Sequence, residues 1–81
     1  MYFVGIDISK YKHDCFIATE AGEVIRDTFT FDNSGPGFAL FFSILETLDC
    51  PKNQIKVGFE STSHYMIPLM KHLGVKGYEF I

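Results

Sequence analysis

The spacing of apolar and polar side chains along the first third of the chain predicts three β-strands. Residues 2–8 alternate, with largely apolar side chains on both sides, which is typical of a central strand covered on both faces. Residues 13–20 and 23–31 are predicted as two further strands, and the turn signal Ala21-Gly22 separates them. Because the connections between successive strands are short, we expect both strand pairings to be antiparallel.

The rest of the chain changes to helical spacing, interrupted by one more strand. Residues 36–48 carry apolar side chains three and four positions apart and follow an Asp-Asn-Ser sequence that can cap a helix. Alternation returns in residues 54–59. A second helix is predicted to run to about Leu73, with Pro68 in its first turns, and residues 77–81 start a fifth strand.

The element order β-β-β-α-β-α-β predicts an α/β fold. Three antiparallel strands lead into two β-α-β crossovers, which are right-handed in nearly all proteins. The simplest result is a mixed five-stranded sheet of strand order 3-2-1-4-5 with helices packed on it. This is the ribonuclease-H-like arrangement, in which the first and fourth strands are parallel neighbours. A fold of this kind does not by itself fix a function.

Length and composition limit the chain to one domain. It has 81 residues, 47% of them hydrophobic and 21% charged, which excludes a disordered chain. It has neither an apolar run of about 18 residues nor the features of a signal peptide, so we expect a cytoplasmic protein that does not enter a membrane. Cys15 and Cys50 are too far apart for a CxxC pair, which fits a reducing compartment.

The charge of the chain bears on its partners. The formal net charge is -3, which argues against an autonomous nucleic-acid binder, because such proteins normally present a basic face. Leu40 and Ile44 lie outside the apolar stripe of the first predicted helix, so we expect them to form an exposed apolar patch. Such a patch would meet another domain or subunit.

Two carboxylates fall at the point where the strand order reverses. Asp7 lies near the end of the first strand, and Glu60 closes the fourth. Open α/β sheets bind ligands beyond the C-terminal strand ends at this point. Neighbouring strands lie about 4.8 Å apart, so the two side chains can converge on one hard cation such as Mg²⁺ or Mn²⁺. Gly5 and Gly58 precede them by two residues, so we expect the same sheet face beside each carboxylate to be bare.

The candidate residues also have plainer structural interpretations. An aspartate at a strand end is commonly a turn residue, and Glu60 could cap the helix that follows it. Lys10 and Lys12, in the loop beyond Asp7, could contact a phosphate or be ordinary surface lysines. Asp14, at the start of the second strand, is interpreted as structural.

Three blocks of the sequence resemble the N-terminal domain of the DEDD insertion-sequence transposases, a family that includes the pilin-gene site-specific invertases. The blocks are residues 4–10 (VGIDISK), Asn33-Ser34 with Gly37-Phe38, and residues 58–65 (GFESTSHY). The third block is the specific one, and the resemblance spans essentially the whole chain. The position between Thr and His, usually glycine in the family, is Ser63 here.

The resemblance implies a RuvC-like domain that cleaves and transfers DNA strands with the help of Mg²⁺ or Mn²⁺. Four acids bind the metal in that family, and carried over by motif Asp7 is the first and Glu60 the second. It also makes His64 and Tyr65 candidate DNA or RNA contacts, the alternative being a solvated histidine and a tyrosine packed under the helix. Ser61 and Thr62 are interpreted as helix caps, and a phosphate contact by Thr62 is the alternative for that residue. The partners implied are insertion-sequence ends, target DNA, a structured guide RNA and, in the intact protein, further copies in a homo-oligomer.

The resemblance also implies that residues 1–81 are a fragment of a longer transposase. The third and fourth acids of the family fall beyond residue 81, as does the C-terminal domain that carries a serine implicated in strand exchange. We therefore expect this chain to bind metal weakly and to have no nuclease activity of its own.

Two other functions fit parts of the pattern. An actin-like sugar kinase or ATPase also begins with Gly-Ile-Asp, but it requires a glycine-rich phosphate loop where this chain has Ile8-Ser9-Lys10. A non-enzymatic assembly module would use the sheet and the phenylalanine-rich helix for association alone.

Overall fold

The computed structural model describes residues 1–60 and 63–80, which form one five-stranded sheet with two α-helices. The strands are β1 (Tyr2–Asp7), β2 (Lys12–Thr19), β3 (Val24–Asp32), β4 (Ile55–Phe59) and β5 (Glu79–Phe80). The helices are α1 (Gly35–Glu46) and α2 (Ile67–Lys76), and short 3-10 turns cover Lys52–Gln54 and His64–Met66.

The strand order in the sheet is β3-β2-β1-β4-β5. β1 pairs with β2 and β2 with β3 in antiparallel fashion, whereas the β1–β4 and β4–β5 pairs are parallel. The predicted α/β class and strand order are therefore confirmed, and the arrangement is consistent with a ribonuclease-H-like fold.

Both helices pack on one face of the sheet. Phe38 of α1 and His72 of α2 lie against each other with 4.7 Å between ring centroids. Because β3, β4 and β1 run in the same direction, two right-handed crossovers toward the β5 edge place both helices on the same side. The buried core between sheet and helices includes Val4, Ile6, Cys15, Ile17, Ile55, Val57, Phe38, Phe41, Leu45, Leu69 and Leu73.

The expectation that β1 is covered on both faces is wrong for the described residues. Phe3 points away from the helices and is 40% exposed, and its neighbour on that face, Phe16 of β2, is 37% exposed. The second face of β1 is apolar because it carries phenylalanine and glycine, but it stays open to solvent.

The ends of the helices follow from local sequence. The Oγ of Ser34 accepts the Gly37 N–H at 3.3 Å and caps α1, as predicted. Pro68 lies in the first turn of α2, also as predicted. α2 continues to Lys76, beyond the predicted end, because Gly77 adopts the left-handed conformation (φ 84°) that terminates it.

The predicted apolar patch on α1 is wrong in one of its two residues. Leu40 is 50% exposed, but Ile44 is only 8% exposed and belongs to the core. α1 lies deep enough over the sheet that the flank carrying Ile44 is covered too. Neither helix within residues 1–60 and 63–80 combines the length and hydropathy that crossing a lipid bilayer requires.

Candidate metal centre

Asp7 and Glu60 lie side by side at the C-terminal ends of two adjacent parallel strands. β1 and β4 are in register through the pairs Gly5–Gly58 and Ile6–Phe59. The Glu60 N–H donates to the Ile6 carbonyl at 2.9 Å, which extends the ladder by one residue beyond β4. Both carboxylates are solvent-exposed, and they line one cleft of about 210 Å³. The structure thus brings together the two acids singled out in the sequence.

A third carboxylate, that of Asp14, lines the same cleft. Asp14 is the direct cross-strand partner of Asp7 in the β1–β2 pair, and its Oδ1 accepts the hydroxyl of Thr30 at 2.6 Å. Like charges directly opposite each other destabilise a strand pair, so a cation in the cleft would relieve this repulsion. Asp14, interpreted from the sequence as structural, therefore lies beside the two candidate acids.

The three carboxylates do not form one ligand cluster. Within the part of the chain that the structure describes, no three His, Cys, Asp or Glu side chains lie close enough together to hold a single ion. Asp7 and Glu60, the pair predicted from the sequence, stay the candidate ligands, and Asp14 contributes negative potential beside them.

The two glycines beside the acids differ in their surroundings. A Cβ at Gly58 would meet no atom within 4 Å, so the predicted bare surface is present next to Glu60. The expectation is wrong for Gly5, because the ring of Phe16, its cross-strand partner, lies over it in the space that a Cβ would need. An aromatic side chain that covers a cross-strand glycine recovers packing that the glycine cannot supply.

The candidate lysines lie near the cleft without contacting it. Lys12 begins β2 and, by strand alternation, shares the open sheet face with Asp14. Lys10 is exposed in the β1–β2 loop, with its ammonium 5.1 Å from the ring centroid of Tyr11.

The segment after Glu60 carries the remaining candidates. His64 is exposed and Tyr65 is half-buried, with 4.1 Å between their ring centroids. Thr62 lies outside the described residues. The Oγ of Ser63 accepts the Tyr65 N–H at 3.3 Å and caps this 3-10 turn, so the cap is Ser63 and not Glu60.

Comparison with known proteins identifies one family. Residues 4–81 match the family model of the DEDD transposases of the IS110 type, which is described as a transposase. No curated protein matches the chain.

Similarity to solved structures is weak. One similar structure is the crystal structure of the Aquifex aeolicus member of the Ppx/GppA protein family, with 13% sequence identity and a TM-score of 0.42. The match covers 100% of this chain but 35% of that protein, so the chain spans about a third of its length. A similarity at this level carries no argument about function.

Proposed function

Because the chain belongs to the DEDD transposase family of the IS110 type, we propose that it forms the N-terminal part of a transposase catalytic domain. In the intact protein this domain would act in the metal-dependent cleavage and transfer of DNA strands. The observation that carries the proposal is the convergence of Asp7 and Glu60, from adjacent parallel strands, on one exposed cleft.

The residues of the cleft fit a hard divalent cation. Asp7 and Glu60 offer exposed carboxylate oxygens, the donors that Mg²⁺ and Mn²⁺ prefer. The open space beside Gly58 leaves room for the water molecules that such an ion retains. When bound, the cation would supply Lewis-acid stabilisation of a phosphodiester and of the attacking oxygen. We propose that Asp7 and Glu60 are two of the family's four acids and that this pair binds the ion weakly.

The side chains around the cleft suggest how a polynucleotide would approach. The acidic cleft repels phosphates at long range, and the net charge of -3 does the same for the whole chain. We propose that Lys10 and Lys12 contact phosphates beyond Asp7, and that His64 and Tyr65 contact the nucleic acid beyond Glu60. From the family we also propose the partners of the intact protein, which are insertion-sequence DNA ends, target DNA, a structured guide RNA and further copies in a homo-oligomer.

A metal titration tests the proposal. On adding Mg²⁺ to the ¹⁵N-labelled chain, we expect the amide resonances of Asp7 and Glu60 to shift first, and their shifts to disappear in Asp7→Asn. Glu23→Gln, a matched loss of one exposed carboxylate in the β2–β3 turn, should leave them unchanged. Shifts confined to Glu20, Glu23 or Asp49 would contradict the proposed site.

A further inference from the structure

One side chain, that of Asn33, connects the two segments that leave the carboxylate pair. Its Nδ2 donates to the carbonyl of Lys10 at 3.0 Å and to the carbonyl of Tyr65 at 3.2 Å. Its backbone N–H donates to the carbonyl of Tyr11 at 2.8 Å. Residues 8–11 follow Asp7 and the turn His64–Met66 follows Glu60, so Asn33 is bonded to a segment that comes after each of the two acids.

His13 contacts one of these two segments, the one formed by residues 8–11. Its side chain is fully buried, and its Nδ1 accepts the Ser9 N–H at 3.2 Å, so the neutral ring carries its proton on Nε2. Among the described residues, His13 Nε2 and Asn33 Oδ1 are both buried without a partner of normal hydrogen-bond geometry. They are a donor and an acceptor, and the hydrogen bond from the Asn33 N–H to the Tyr11 carbonyl extends the β2–β3 ladder, so residues 13 and 33 are diagonal neighbours.

The orientation of the Asn33 amide is determined by its partners. Two carbonyl oxygens accept from Nδ2, so the NH₂ group must face Lys10 and Tyr65, and Oδ1 must face away from them. An asparagine supplies these two donors and one acceptor at one position, whereas aspartate supplies acceptors alone at neutral pH. This requirement accounts for an asparagine in the loop that precedes α1.

We propose that Asn33 and His13, here termed the Asn33 bridge, are positioning residues for the carboxylate pair. The bridge holds residues 8–11 and the turn His64–Met66 at a fixed separation, and it thereby fixes the strand ends from which Asp7 and Glu60 project. It touches neither metal nor substrate. The inference rests on the proposed function, because its effect is exerted on the metal site.

The test compares Asn33→Asp with Asn53→Asp, the same chemical change at an exposed position in the other 3-10 turn. Mn²⁺ binding is followed by paramagnetic broadening of the Asp7 and Glu60 amides. Added negative charge alone would strengthen Mn²⁺ binding. If the bridge positions the acids, Asn33→Asp should instead weaken binding by about tenfold or more, because the groups that orient metal ligands typically matter by that factor. Equal affinities in the two variants would overturn the inference.

A second measurement, without metal, separates this inference from the proposed function. Asn33→Asp should speed amide hydrogen exchange by about tenfold in both bridged segments, at Ser9 and at Met66, whereas Asn53→Asp should change neither. Faster exchange in one segment alone would overturn the bridge even if metal binds as proposed. Broadening that misses Asp7 and Glu60 in the unmodified chain would instead overturn the proposed function.

A measurement on the unmodified chain covers the case in which Asn33→Asp does not fold. During a Mg²⁺ titration, the side-chain NH₂ resonances of Asn33 and the amide of Ser9 should shift with the same midpoint as Asp7 and Glu60, because coupling between sites is reciprocal. Shifts at the two acids with none at Asn33 would overturn the inference.

Discussion

The polar groups nearest the cleft are arranged in two different environments. Asp7, Asp14 and Glu60 are exposed, so each carboxylate can be hydrated or can meet a cation. His13 is fully buried one residue away from Asp14, on the opposite face of β2. Burial lowers the pKa of His13, and the polar side chain of Asn33 and the charge of Asp14 oppose that effect in part.

The lowered pKa of His13 predicts how stability depends on pH. The folded ring is neutral where the unfolded ring, with a pKa near 6.5, already takes up a proton. Stability should therefore be complete above about pH 7 and fall as the pH drops below about 6.5, with a slope of at most about 1.4 kcal/mol per pH unit. Urea unfolding between about pH 8 and about pH 5 measures it.

The matched variants for this prediction are two histidine substitutions. His13→Gln should flatten the dependence on pH, whereas His72→Gln, at an exposed position on α2, should leave it as steep as before. Identical slopes in all three proteins would show that the His13 ring is not the group that titrates.

Asp14 should affect metal binding through charge and not as a ligand. Loss of one unit charge near a divalent ion in water changes the binding free energy by about 1 kcal/mol, so Asp14→Asn should weaken Mn²⁺ binding by roughly fivefold. Asp7→Asn should weaken it much more. Isothermal titration calorimetry on both variants checks the difference, and an equal loss in Asp14→Asn would make Asp14 a ligand.

The elements owe their placement to a few close backbone contacts. α1 begins directly against the end of β3, where a Cβ on Gly37 would collide with the carbonyl of Asp32. That carbonyl belongs to the backbone and cannot move away as a side chain would. The next residue, Phe38, is only 2% exposed and packs against the sheet and α2. The start of the helix therefore also positions part of the core.

Gly37→Ala should therefore be strongly destabilising. We expect a loss of about 2 kcal/mol or more, since overpacking against rigid atoms typically costs this much, and a fall in Tm of about 10 °C. Gly35→Ala is the control, because a Cβ there would meet no atom within 4 Å. Thermal unfolding followed by circular dichroism distinguishes the two, and equal Tm values would refute the contact.

The candidate site lies at the C-terminal ends of β1 and β4, in a sheet that the helices cover on one face. The helices and the core lie on one side, while Phe3, Phe16 and the two glycines lie on the other. Asp7 and Glu60 line the cleft together, and no cluster of three metal-binding side chains lies within residues 1–60 and 63–80.

The isolated chain should consequently show no nuclease activity. Two carboxylates would hold a catalytic ion only loosely, and a net charge of -3 disfavours binding of DNA. Incubation with branched and duplex DNA in Mg²⁺ or Mn²⁺ should leave the DNA intact. Robust cleavage that is lost in Asp7→Asn would contradict this expectation.

The sequence by itself determined the elements, the strand order and the positions of Asp7 and Glu60. Alternation and helical spacing are local properties, and short connections with right-handed crossovers leave few topologies. Right-handed crossovers also require both helices to lie on one face of the sheet. The wrong expectation about β1 came from its composition, because an apolar strand buried on both faces and a strand with an open glycine-phenylalanine face have similar sequences.

Only the tertiary structure decided which side chains meet around that site. Phe16 lies over Gly5 and Asp14 opposite Asp7 because of the register between β1 and β2, which loop geometry sets and composition does not reveal. The Asn33 bridge joins segments far apart in sequence, since buried donors and acceptors pair with whatever the fold brings near them. Local sequence patterns predict the periodicity of each element, but they do not predict which distant residues will pair.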